Sequence, residues 1–132
     1  MEDWAEERLQ SDVAAWLTTV SPDGQPQSTP VWFLWDGSTF LMYSRPDTPK
    51  LRNIEANPKV SLHLDAENEG AHVVTFDATA EVLRDQPPAD RVPEYVEKYR
   101  QPIADLGWTP ESFAADYSVP LRITPTRVQV WE

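Results

Sequence analysis

The chain contains no cysteine and only two histidines, His63 and His72. Disulfides, thiolate nucleophiles, iron–sulfur clusters and thiolate zinc sites are therefore excluded. Glycine is scarce at 4 residues against 13 prolines, so proline sets most turns. No apolar run is long enough to span a bilayer. Positive charge is also short, with 11 basic residues against 22 acids and a net charge of −11. Such a chain repels phosphates in general and is a poor match for nucleic acid or an anionic membrane surface. GxGxxG, Walker, HExxH and GxSxG patterns are all missing. The opening MEDWAEERLQ is acidic, which predicts neither a signal nor a transit peptide and a cytoplasmic location.

What the chain does carry is a concentrated segment from Ser28 to Asn57. Two apolar runs, Thr29–Trp35 and Thr39–Tyr43, flank Asp36-Gly37, which predicts a hairpin with a tight mirror-image turn. The second run ends at Ser44-Arg45. Thr48-Pro49 then opens a helix to Asn57, with Thr48 capping free N–H groups and Pro49 placed where no N–H is needed. A strand-end hydroxyl, a helix N-terminus and Arg45, Lys50 and Arg52 thus converge, while Arg8 is the one cation among the preceding 44 residues. Oriented backbone donors plus fixed positive charge make an anion site. The plainer alternative is a solvated helix face whose cations balance Asp47 and Glu55.

The rest reads as one domain, 1–132, large enough for one core. Asp3–Gln10 is a short helix, Val13–Val20 a strand, and Ser21-Pro22-Asp23-Gly24 a turn. Both faces of the strand Ser28–Trp35 are apolar, as are both faces of the next strand. A sheet with one wet face should alternate, so a subunit partner, a flat ligand or both are expected to cover the second face. Val60–Asp65 alternates, with Val60, Leu62 and Leu64 inward. Glu67–Gly70 is a polar turn. Ala71–Arg84 is a long strand whose inner face carries Val74, Phe76, Ala78, Ala80 and Val82. Val92, Val96 and Tyr99 recur at helical spacing over Asp90–Arg100, and Pro102 is expected to kink or divide the helical region that Gly107 ends. Thr109 caps a further helix to Asp116, and Pro125 separates strands Val119–Thr124 and Arg127–Trp131. The class expected is mainly β (α+β), a six- to seven-stranded antiparallel split β-barrel with flanking short helices.

No nucleophile or acid–base pair stands out, so any chemistry is expected to be carried by a bound cofactor. His63 and Asp65 share a strand face and read as an ordinary surface pair, so no metal site is expected. His72 reads as a rim residue, and Trp16, Trp32 and Trp35 as core or interface.

The ensemble AAWLTTVSPDGQPQSTPVWFLWDG, TFLMYSR and KLRNIEANPKVSLHL resembles the pyridoxamine-phosphate-oxidase-like split barrels, which are flavin and deazaflavin oxidoreductases. WTPESFAADYSVPLRITPTRVQVW resembles the mycobacterial-type branch that depends on the deazaflavin F420. The resemblance implies a homodimer with cofactor sites at the interface, a small-molecule substrate, and F420 or, alternatively, FMN as cofactor. Thr29, Pro30 and Val31 would line the ring, Tyr43 and Ser44 the ribityl chain, and Ser44, Arg45, Lys50 and Asn53 the phosphate. Arg52 is counted with them as a cofactor-binding residue, although helical spacing turns it from Lys50. The implied activity is hydride transfer to an electron-poor acceptor. The alternatives are an FMN oxidase or reductase, or a cofactor- or haem-binding protein without turnover.

Overall fold

The computed structural model describes residues 1–67 and 69–132. Helix α1 (Asp3–Ser11) leads into β1 (Ala14–Val20), β2 (Pro26–Trp32), β3 (Leu34–Trp35) and β4 (Phe40–Ser44). Helix α2 (Pro49–Ala56), β5 (Lys59–His63) and β6 (Val73–Val82) come next. A short 3-10 turn, Ala89–Arg91, precedes α3 (Pro93–Asp105), α4 (Pro110–Asp116) and β7 (Val119–Trp131). Among the described residues seven strands form one antiparallel sheet in the order β2-β1-β5-β6-β7-β4-β3. The mainly β split-barrel class is observed, with the sheet curled into a half-barrel and helices at its flank.

That order carries a geometric demand. The edge strands β2 and β3 are consecutive in sequence, and only Phe33 separates them. The sheet must curl until its two edges meet at this residue, which forms the seam of the barrel. Phe33 leaves the ladder, so its peptide groups need other partners. Helix α3 supplies them. The Tyr99 hydroxyl accepts from Phe33 N at 2.7 Å and lies 2.9 Å from Phe33 O and 2.7 Å from Val13 O. Lys98 Nζ donates to Phe33 O at 2.8 Å. The continuous strand expected over Ser28–Trp35 is thus broken at Phe33, and β2 starts earlier, at Pro26.

Two apolar clusters arise from the strand periodicity. Phe40 and Met42 of β4 enter the barrel core with Phe33, Trp35, Leu62 and Phe76. The alternate residues Leu41 and Tyr43 enter a second cluster with Tyr95, Tyr99, Ile103 and Phe113. All five residues of β4 are buried for this reason. The second face of β4 is covered by helices α3 and α4 of the same chain, whereas Gln27, Ser28 and Pro30 of β2 remain exposed. Pro102 sits inside α3 without dividing it, because the buried stripe Tyr95, Tyr99 and Ile103 runs past that position. Packing outweighs the missing N–H.

Other expectations change in detail. Trp35 pairs with Phe40, and the hairpin between them is closed by Asp36: its carboxylate accepts from Ser38 N and Thr39 N at 2.8 and 2.6 Å. Only Gly37 takes positive φ there, +97°, so the turn is not the two-residue mirror-image type. Pro125 lies within one strand, β7, rather than between two. The register passes from Asp77↔Arg127 to Ala78↔Pro125, leaving Thr126 as a bulge whose hydroxyl donates to Asp77 O at 3.1 Å. Val82 is exposed, because the inner row ends at Ala80. Val60, Leu62 and Leu64 are buried as expected. The polar turn expected at Glu67–Gly70 includes Asn68, which lies outside the described residues. At the other end, Arg8 ties α1 to the β5–β6 connection through His72 O and Asp65 O at 2.9 and 2.7 Å.

Removing the seam hydroxyl should be costly. Tyr99→Phe leaves the Phe33 N–H buried without an acceptor, and a loss of about 1–3 kcal/mol is expected from the denaturant midpoint. The pH profile carries a second signature. Burial lowers Lys98 to about 8 from 10.5, so between those values the unfolded chain binds more protons and stability rises with pH. Burial raises Tyr95 and Tyr99 above 10.0, so above that value the folded state holds more protons and stability falls. Midpoints measured across the alkaline range should climb from pH about 8, turn over near 10, and lose part of the climb in Lys98→Met.

Candidate functional site

The α3–α4 cover creates a cavity of about 140 Å³ against the sheet. Strand β2 contributes Pro30, Val31 and Trp32, β4 contributes Tyr43, and α2 contributes Lys50. The opposite wall is the helical hairpin, with Leu106, Trp108, Phe113 and Tyr117. Gly107 adopts φ +80° and turns the chain there, and Thr109 restarts it with a reciprocal cap to Ser112. Phe113 and Tyr117 stand four residues apart on or beside one face of α4 and stack on each other at 4.7 Å. The stack continues from Phe113 to Trp32 at 5.3 Å and from Trp32 to Tyr99 at 4.6 Å, with planes within 19° of parallel. Arg45 lies 5.0 Å from the Tyr117 ring at one end and Lys98 5.2 Å from the Tyr99 ring at the other.

A second cavity of about 210 Å³ shares Lys50 with the first. Thr19, Gln27 and Thr29 line it from β1 and β2, and Thr48 and Pro49 from the start of α2. The Thr48 hydroxyl accepts from Leu51 N at 3.4 Å, and Pro49 occupies the first turn, as the sequence predicts. The Thr29 hydroxyl is buried and has no hydrogen-bond partner. A buried hydroxyl left unpaired is costly and marks a place for a polar group.

Lys50 is the hinge of the arrangement. Among the described residues no carboxylate pairs with it, and burial alone pushes its ammonium below the ordinary lysine value. A half-buried cation without a counter-charge, beside a helix N-terminus and an orphaned hydroxyl, is suited to an anion. Phosphate oxygens would satisfy both groups, and the aromatic cavity next to them would accept a flat ring. A deazaflavin or flavin with its phosphate fits these donors.

The expected site residues divide into two groups. Thr29, Pro30, Val31, Tyr43 and Lys50 meet at the two cavities. Val31 also belongs to the barrel core, and the Tyr43 hydroxyl is committed to Pro87 O at 2.6 Å. Ser44, Arg45, Arg52 and Asn53 do not line either cavity. Ser44 is buried and donates to Arg45 O at 2.8 Å. Arg45 is paired with Asp116 at 3.3 Å. Arg52 turns outward and donates to Asp47 O at 2.8 Å. Asn53 is buried and donates to Thr19 Oγ1 at 2.9 Å and Gln27 Oε1 at 2.8 Å, fixing two walls of the second cavity. Leu106, Trp108, Phe113 and Tyr117 are not legible as site residues in the sequence. Their signal is an aromatic at each turn after a Gly-Trp-Thr-Pro break, which also describes a plain amphipathic helix.

His63 and His72 lie apart from both cavities. His63 Nδ1 is 3.0 Å from Leu64 O, and the His72 ring packs 4.8 Å from Trp4. Among the described residues no group of three metal-ligating side chains assembles. Asp65 accepts from Trp16 Nε1 at 2.8 Å. No helix among them is long and apolar enough to cross a membrane.

A family model described as Pyridoxamine 5'-phosphate oxidase matches residues 1–132. Among solved structures, the chain is similar to one described as an F420 reductase, at 25% identity and TM-score 0.73, covering 98% of each chain. It is similar to a conserved hypothetical protein from Mycobacterium tuberculosis at 25% identity and TM-score 0.77, over 100% of this chain and 85% of that one. HutZ, the haem storage protein from Vibrio cholerae, matches at 23% identity and TM-score 0.70 over 98% and 94%, a likeness of fold. No curated protein matches the chain in sequence.

The protonation of Lys50 supplies a test of the anion site. An anion favours the charged ammonium, so binding takes up a proton as pH approaches the lowered Lys50 value. Inorganic pyrophosphate, titrated by calorimetry in buffers of different ionisation heat, should bind less tightly as pH rises, beginning below the range of an ordinary lysine. Lys50→Met should flatten that dependence.

Proposed function

The chain belongs to the pyridoxamine 5'-phosphate oxidase family, and from that membership we propose that it is an F420-dependent oxidoreductase acting on an electron-poor small molecule. The observation that carries this reading is the sharing of Lys50 between the second cavity and the aromatic one. The second cavity would hold the cofactor's phosphate, with Lys50, the orphaned Thr29 hydroxyl and the first turn of α2 as its ligands. Pro30, Val31 and Tyr43 lie along the ring, chiefly through backbone and apolar contact. The similarity to a structure described as an F420 reductase favours the deazaflavin.

When bound, the deazaflavin supplies a hydride. The chain's own contribution is placement and the exclusion of water. Trp32, Phe113 and Tyr117 give the acceptor's side of the cavity a rigid apolar wall, because each ring is stacked on the next. Arg45 pairs with Asp116 and lies over the Tyr117 ring at the edge of that wall. Asn53 positions Thr19 and Gln27, and Ser44 steadies the loop leading to α2. In this reading these three act as supports of the site, and Arg52 lines neither cavity. Proteins of this family are commonly dimeric, and a homodimer with a site at each side of its interface is part of the proposal.

FMN is the second reading, since its ring and phosphate meet the same groups. A histidine-ligated haem has less support, because neither histidine lines either cavity.

Titration of the purified protein with F420, monitored by deazaflavin fluorescence, should show saturable binding. Lys50→Ala should weaken it about 10- to 100-fold, the loss of one charge-assisted contact of about 1.5–3 kcal/mol. No fluorescence change, or an unaltered affinity in Lys50→Ala, would overturn the proposal. A protein that purifies yellow and releases FMN would move the assignment to the second reading.

A further inference from the structure

Lys98 is a half-buried amine for which the proposed reaction has no use. It lines neither of the two cavities described above and stands instead at the barrel seam. Its Nζ donates to Phe33 O at 2.8 Å and lies 3.7 Å from the centre of the Phe33 ring. Among the described residues no carboxylate pairs with it. Burial pushes it down to about 8, against an upward pull from Asp12. One side of the residue opens on a cleft of about 540 Å³ formed by Gln10 of α1, Leu34 of β3, and Pro93, Glu94 and Glu97 of α3.

We propose that Lys98 is a covalent capture site for small uncharged aldehydes, which enter this cleft and condense with the amine to a Schiff base. The neutral amine is the form that attacks carbonyl carbon, and burial without a carboxylate partner favours that form of Lys98. The chemistry balances without any oxidant or reductant. The lone pair of the neutral amine forms a C–N bond, the carbonyl oxygen takes one proton from that nitrogen and one from solvent, and its loss as water leaves a protonated carbon–nitrogen double bond. The protonated imine keeps one N–H for Phe33 O and keeps its positive charge against the Phe33 ring, so capture preserves the seam. Acyl transfer would instead place a neutral amide over that ring.

The cleft also selects the partner. Glu94 and Glu97 flank its mouth, Asp12 lies within electrostatic reach of the amine, and the whole chain carries −11. An anionic aldehyde is repelled by that field. Leu34 and Pro93 offer an apolar wall to a short alkyl group.

The chain has three lysines, Lys50, Lys59 and Lys98, so the test is direct. The intact protein is incubated with butanal and cyanoborohydride near neutral pH, and alkylation is mapped by peptide mass spectrometry. Lys98 should be labelled at least about ten-fold faster than the exposed Lys59. With glyoxylate, an anionic aldehyde, the preference for Lys98 should fall about five-fold or more, and return in the double variant Glu94→Gln, Glu97→Gln. Labelling of Lys98 no faster than Lys59, or equal preference with both aldehydes, would overturn the proposal. Neither outcome depends on whether the chain binds a deazaflavin.

Discussion

The fold depends on a single peptide unit. Phe33 joins the two edges of the sheet, and its N–H and C=O have no strand to bond. A buried amide left in that state would cost as much as many tertiary contacts return. The Tyr99 hydroxyl and the Lys98 ammonium occupy these groups from outside the barrel. For both to reach, α3 must lie across the seam, and the α3–α4 hairpin then falls on the outer face of β4. The aromatic wall of the candidate site is a consequence of that placement. Trp32, the residue before the seam, is held between Tyr99 on one side and Phe113 on the other. Barrel closure and cavity formation are thus one event.

Local chemistry is readable in the sequence, and long-range chemistry is not. Thr48-Pro49 announces the start of α2 because a cap and a proline act within one turn. Period-two patterning locates the strands and, in β4, shows that both faces are buried. It does not show what covers the second face. The covering residues Tyr95, Tyr99, Ile103 and Phe113 carry the spacing of any amphipathic helix, and nothing local says which sheet they meet. Over β4 the chain itself supplies the cover, in helices α3 and α4. Pro125 illustrates the same limit. A proline argues for a strand break, yet the register shift opposite Asp77 absorbs it as a bulge.

The cluster of cations between Arg45 and Arg52 is visible in the sequence, but its division of labour is not. Arg45 finds Asp116, a residue 71 positions away, and Arg52 finds a local carbonyl. Asn53 is drawn inward to Thr19 and Gln27. Only Lys50 is left facing the cavities, where burial without a paired acid among the described residues lowers its protonation range. In an acidic molecule such a residue is conspicuous.

The division at Phe33 has an evolutionary corollary. Everything on the strand side of the seam is fixed by ladder registers that a one-residue insertion would disrupt. The hairpin on the helical side touches the barrel through Lys98 and the stripe Tyr95, Tyr99, Ile103 and Phe113, and its connecting loop at Gly107 is exposed. Descendants of this chain can therefore exchange Leu106, Trp108 or Tyr117, or lengthen the loop that carries them, without renegotiating the barrel. The scaffold separates the inherited part of the pocket from the part free to drift.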